Sequence, residues 1–140
     1  MEPHIIKGNI YNDVRGSVSF VNDFNFKNIV RFYIIENSIE HELRAWQGHK
    51  LDTKYFYCIS GSFQVSYIQI DNWDKPSSNL IIQHEILKKD DSKILCIPPG
   101  YANALRSLES GSRLLSFSTL PLNEVKDDDV RYDKNTWSVQ

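Results

Sequence analysis

The sequence predicts an all-β domain, a β-sandwich or barrel, on three observations. Runs rich in β-branched and aromatic residues recur roughly every ten residues, separated by clusters of Gly, Pro, Asn, Asp and Ser. Within the clearest runs, apolar and polar side chains alternate, as a half-buried strand requires. No segment sustains the apolar period of an amphipathic helix, so βαβ units are not expected.

Composition bounds the function. The 140 residues suit one domain, 1–140, large enough for a true core. A hydrophobic content of 41% argues for a folded chain and against disorder. A net charge of −2 supplies no basic field to hold nucleic acid, so no nucleic-acid partner is expected. No apolar run approaches the roughly 20 residues of a membrane span, so no membrane partner is expected either. Met1 to Lys7 lacks the charged-then-apolar pattern of a secretion signal, and a cytoplasmic location follows. Cys58 and Cys96 lie in apolar strand-like runs and read as buried thiols in a reducing compartment.

Taken in order, Asp13-Val14-Arg15-Gly16 is a turn feeding the strand Ser17 to Val21. Val30 to Ile35 is the clearest early strand, ended by a turn over Asn37 to Glu40. Leu43 to Lys50 follows, then Lys54 to Ser60, the turn Gly61-Ser62, and Phe63 to Ile70. In this last strand Phe63, Val65 and Tyr67 fall on one face, with Gln64 and Ser66 on the other. A polar loop over Asp71 to Ser78 leads to a strand over Leu80 to Leu87. Ile94 to Ile97 is short and buried, and Pro98-Pro99-Gly100 ends it. Tyr101 to Leu105 and Arg113 to Phe117 are the last strands. Residues 123–140 form a C-terminal extension on or near the barrel, in which Asp127 to Asp129 read as a solvated acidic run.

The chemistry concentrates in Arg44-Ala45-Trp46-Gln47-Gly48-His49-Lys50. Interior strands seldom carry Arg, Gln, His and Lys this close together unless a cavity uses them. In a regular strand Gln47 and His49 share one face, and Arg44, Trp46 and Lys50 the other; a bulge would bring Arg44 round. His49 is either a general base or a structural histidine at a strand edge. Lys54 either reaches solvent from its strand end or stabilises an enolate oxygen. Arg44 and Arg15 carry the guanidinium fork suited to paired phosphate oxygens, although Arg15 taken alone is a solvated turn residue. Tyr33 is a candidate proton donor and Asn103 a candidate for the barrel mouth. His4, His41 and His84 lie in polar stretches and are expected at the surface. Only His49 offers a good metal ligand in the site strand, so no metal is expected.

Six blocks carry a resemblance: Asp13 to Phe20, Arg31-Phe32-Tyr33, Arg44 to Lys50, Lys54 to Gly61, Ile97 to Asn103, and the closing Asp-rich segment with Trp137. In these the chain resembles the cupin-fold enzymes that act on nucleotide-linked 4-keto-6-deoxy sugars. Among them are the dTDP-4-dehydrorhamnose 3,5-epimerases, the dTDP-4-keto-6-deoxyglucose 3,4-ketoisomerases and the WxcM-like sugar epimerases.

The resemblance implies a cupin jelly roll, dimeric, that needs no metal or cofactor. It abstracts a proton beside the sugar's keto group and returns it on another face or atom. It matches Arg15 to an arginine reaching the diphosphate, often of the neighbouring subunit, and Arg44 to the arginine opening the site motif. Lys54 matches the lysine near the substrate oxygen, His49 the second histidine of the ketoisomerases' His-x-His pair, and Tyr33 their site tyrosine. Trp46, Gln47, Asn103 and Tyr101 fall in the same blocks and are expected to contact substrate. Gln47 stands where the epimerases carry their base, Asn103 replaces a histidine, and Phe117 to Leu122 holds no tyrosine. His49 is therefore the expected base, with Lys54 and Arg44 as electrostatic support, Tyr33 or water as acid, and Gln47 orienting the sugar. The rival expectations are a sugar-nucleotide-binding cupin without catalysis and a metal-dependent oxygenase.

Overall fold

Twelve strands build the molecule in the computed structural model, which describes all 140 residues. They are β1 (His4–Lys7), β2 (Asn9–Asp13), β3 (Gly16–Phe20), β4 (Arg31–Ile35), β5 (Leu43–His49) and β6 (Lys54–Ser60). There follow β7 (Ser62–Gln69), β8 (Gln83–Lys88), β9 (Lys93–Ile97), β10 (Tyr101–Ser107), β11 (Arg113–Ser118) and β12 (Asp129–Arg131). Short 3-10 turns at Ile39–His41 and Leu122–Asp127 are the only helical pieces.

Two five-stranded antiparallel sheets form the body, ordered β1-β9-β6-β11-β4 and β12-β5-β10-β7-β8, with β2 and β3 as a separate hairpin. Neighbouring strands in each sheet are mostly distant in sequence, the pattern of a cupin jelly roll in which two sheets close over one core. Alternation decides what enters that core. Phe63, Val65 and Tyr67 of β7 meet Phe56 and Cys58 of β6 and Leu95 and Ile97 of β9 between the sheets.

A second cluster covers the outer face of the β5-β10-β7 sheet. Ala102 and Ala104 of β10, Ile68 of β7 and Trp46 of β5 are buried there beneath Trp137 and Tyr132. Both cysteines are buried and unpaired, and burial pushes the Cys58 thiol up to about 11, which keeps it protonated and inert.

Four elements depart from the sequence reading, one of them β2, which was not expected as a strand and pairs with β3. The strand expected from Leu80 begins only at Gln83, because Leu80 and Ile82 pack sideways into the outer cluster. β1 was not anticipated; it adds an edge to β9, pairing Ile5 with Leu95. The acidic run is not a solvated tail: Asp128 is 1% exposed, and β12 starts at Asp129 and pairs with β5.

Candidate functional site

A cavity of about 860 Å³ opens between the two sheets, walled by β4, β5, β6, β10 and β12. The bulge in β5 decides which side chains reach it. Along β10, Asn103 pairs with Gln47 but Ala104 pairs with Ala45, so Trp46 is an extra residue with no partner on β10. Ala45 and Trp46 therefore both pack outward, and Arg44 returns to the inner side opposite Leu105. Arg44, Gln47 and His49 all border the cavity.

His49 ends this strand and is 4% exposed. Its Nδ1 lies 3.3 Å from Asp128 Oδ2, whereas Nε2 is buried with no hydrogen-bond partner. Asp128 is fixed in turn by the backbone N–H groups of Leu51 and Asp52, which donate to its two oxygens. Burial, and then the nearby charge of Lys54, hold the imidazole below its ordinary pKa, against the opposing pull of Asp52 and Asp128. The ring is therefore uncharged at neutral pH. With a carboxylate on Nδ1, its free lone pair is on Nε2.

Lys54 opens β6 on the inner face and is 3% exposed, so it does not reach solvent. Its Nζ donates to Tyr33 Oη at 2.8 Å and lies 3.2 Å from Asp52 Oδ2. Asp52 also accepts from Ser118 Oγ at 2.6 Å and from the Thr119 backbone N–H at 2.9 Å. Burial alone would raise the Asp52 pKa; the Ser118 hydrogen bond, the Lys54 charge and the Thr119 N–H together hold it below the usual carboxylate range. Tyr33, on the inner face of β4, also carries the Arg31 guanidinium 5.2 Å from its ring centre.

Arg44 is exposed at the cavity mouth, where its Nε donates to Asn37 Oδ1 at 2.7 Å. Asn37 is itself tied by its amide to the carbonyls of Glu42 and Leu105. Gln47 donates to Asp129 Oδ1 at 3.1 Å across the β5–β12 pair. Arg31, Arg44, Lys54 and Arg131 line the cavity against two carboxylates, Glu36 and Asp129. The wall thus carries excess positive charge.

His49, Asp52 and Asp128 lie close enough to suggest a metal site. Yet the carboxylate oxygens already accept from backbone N–H, hydroxyl and ammonium donors, and Lys54 occupies the place beside Asp52 where a cation would bind. The donor set is already engaged in a hydrogen-bonded network, which fits a metal cage poorly.

No protein-family model matches the chain, and no curated protein sequence matches it. Solved structures do. The 3,4-ketoisomerase QdtA from Thermoanaerobacterium thermosaccharolyticum, with TDP-4-keto-6-deoxyglucose bound, superposes with a TM-score of 0.72 at 19% identity, over 96% of this chain and 91% of that one. A dTDP-4-dehydrorhamnose 3,5-epimerase from Bacillus anthracis gives 0.76 at 16% identity, over 99% and 86%. The fold is theirs. A 3,4-ketoisomerase from Helicobacter canadensis gives a TM-score of 0.71 at 21% identity, over 97% of this chain and 95% of that one. The fit along nearly whole chains establishes the cupin jelly roll.

Of the residues singled out in the sequence, the structure brings Tyr33, Arg44, Gln47, His49, Lys54 and Asn103 to one cavity. Trp46 borders it as well, but its indole is turned into the outer cluster, donating to the Trp137 carbonyl at 3.0 Å. Its ring is placed to support the strand and not to stack on a ligand. Tyr101 faces inward further along β10, near Tyr67, and borders a different cavity. Arg15 projects from the β2–β3 hairpin, 84% exposed and paired with Asp13, away from this chain's own cavity. Sequence reasoning missed Asp128, Asp52, Asn37, Arg31 and Arg131. The only hint of Asp52 was its closeness to Lys54, and of Asp128 the Val130-Arg131-Tyr132 run that follows it.

Proposed function

We propose that this protein is an epimerase or ketoisomerase acting on a nucleotide-linked 4-keto-6-deoxy sugar, with a dTDP sugar as the first choice. The observation that carries the reading is His49: a buried, uncharged imidazole braced on Asp128, its Nε2 unpartnered, on the wall of a cavity lined with cations. The fold shared with QdtA and the epimerase supports it.

In this mechanism His49 Nε2 takes the proton from the carbon beside the C4 ketone, and the bond electrons move onto the ketone oxygen. The Lys54 ammonium faces that developing enolate. Lys54 donates to Tyr33 Oη, which leaves the tyrosine's own hydrogen to point into the cavity and deliver a proton to carbon. Return of a proton to the other face of the same carbon gives an epimer; return to C4, with the C3 hydroxyl proton passing to the C4 oxygen as the ketone reforms at C3, gives a ketoisomer. Protons balance in both, and no metal or cofactor is required. Arg44, with Arg31 and Arg131, supplies charge for the diphosphate. Gln47 and Asn103 orient the sugar.

A homodimer completes the reading. Val18 of the hairpin and Phe32 and Ile34 on the outer face of β4 are exposed apolar residues, a surface that a second copy would cover. In that arrangement Arg15 reaches the partner's diphosphate. The protein acts in the cytoplasm, where such sugars are made for surface polysaccharide. Incubation with dTDP-4-keto-6-deoxyglucose in D2O, followed by NMR, tests the activity. Deuterium at C3 or C5, or at C4 of a 3-keto product, supports the enzyme; binding without uptake by any 4-keto sugar nucleotide leaves a binding module.

A further inference from the structure

We propose that the segment Tyr132–Val139 sets the aim of Arg44. It grips the extra residue of the β5 bulge, Trp46, from outside the barrel and so fixes the strand path that turns Arg44 onto the cavity wall. The inference rests on the reading given under Proposed function only through one of the two probes that test it.

A bulge position is a choice of register. With regular pairing from His49 back to Leu43, Arg44 would share the outer face with Trp46, and the cavity would lose a guanidinium. The inserted residue must therefore be held at position 46, and its contacts show how. The Trp46 backbone N–H donates to the Tyr132 carbonyl and the Tyr132 N–H to the Trp46 carbonyl, both at 3.0 Å. The Trp46 indole N–H donates to the Trp137 carbonyl at 3.0 Å, and the two rings meet edge to face at 5.4 Å. Trp46 has no partner on β10, so this segment satisfies the backbone groups that the bulge leaves open.

The grip is anchored elsewhere in the molecule. Tyr132 Oη donates to the Trp73 carbonyl at 2.7 Å, and the Trp137 indole N–H donates to the Ser77 carbonyl at 2.9 Å. The Trp73 ring packs against Gly48, so β5 is fixed from outside on both sides of Gln47. Trp46, Tyr132 and Trp137 are positioning residues in this scheme, acting on the ligand through Arg44.

The test is a double-mutant cycle between Trp46→Phe, which keeps a ring and removes the indole donor, and Arg44→Ala. The readout is thymidine diphosphate binding by calorimetry. Trp46→Phe should weaken binding about 3- to 10-fold in the native background, in line with one lost hydrogen bond. In the Arg44→Ala background it should make no further difference. An equal loss in both backgrounds, or no loss in either, overturns the proposal. A second readout needs no ligand: the Arg44 Nε–H donated to Asn37 should lose its NMR protection in Trp46→Phe, and unchanged protection overturns the proposal. If the native protein binds no thymidine diphosphate, the functional reading fails and the NMR result alone decides this one. Should Trp46→Phe not fold, Trp137→Phe, which removes the bond to Ser77, enters the same cycle.

Discussion

Asp128 Oδ2 stands 3.3 Å from His49 Nδ1, and the two side chains are 1% and 6% exposed. They are distant in sequence, yet the contact settles which nitrogen of the imidazole is left without a partner. A carboxylate on Nδ1 selects the tautomer protonated there, which leaves Nε2 as the acceptor.

Replacing His49 with Ala should lower kcat by about 10²- to 10⁴-fold, the usual contribution of a positioned general base. The measurement is deuterium incorporation into the keto sugar with the folded variant. Uptake at the native rate would remove His49 from the mechanism.

The pH dependence follows from the same ring. Burial and then Lys54 depress the His49 pKa below its ordinary 6.5, so the acid limb of kcat/KM should fall below pH 6.5. Because the folded state binds this proton less readily than the unfolded chain, the stability involved is fully present above pH 6.5 and is lost as pH falls through the folded value. Asp52 adds a second loss of the same sign below its ordinary 3.8. Denaturant titrations across pH check both stages; an acid limb above 6.5 contradicts the first.

Asp128→Ala should cost stability as well as activity. It orphans the buried N–H of Asp52, worth about 1–3 kcal/mol when left unpartnered, and frees the N–H of the more exposed Leu51, which water can satisfy. Urea unfolding should show a lower midpoint, and kcat should fall even where the variant is fully folded. Native stability would mean that water replaces the carboxylate.

Gly48→Ala probes the wall behind the site strand. A Cβ there would stand 2.6 Å from the Trp73 ring and 3.3 Å from the Val130 carbonyl. Overpacking of this kind costs about 1–3 kcal/mol. Thermal unfolding reads it directly, and an unchanged melting temperature would show that Trp73 yields freely.

How much of this was legible depended on whether a residue's meaning was local. Phe63, Val65 and Tyr67 declared their face by alternation alone, and the core bears that out. His49 and Lys54 stood out because ionisable groups are rare in apolar runs. That Arg44 needed a bulge was readable, but the bulge's place was not, since it depends on Tyr132 and Trp137 packing from far along the chain. Asp128 was hidden for the same reason: three adjacent aspartates read as solvated charge, and nothing nearby points to an imidazole 79 residues away. Trp46 misled in the other direction, because an aromatic among functional groups resembles a stacking platform until its outer neighbours are known.

β12 is only three residues long, yet it lies along the open side of β5. Without it the strand bearing Arg44, Gln47 and His49 would become the border of its sheet, with unpaired amides and carbonyls ready to accept a strand from another molecule. A chain damaged in this short segment should therefore clump before it merely slows, so the same three residues guard solubility and shape the cavity.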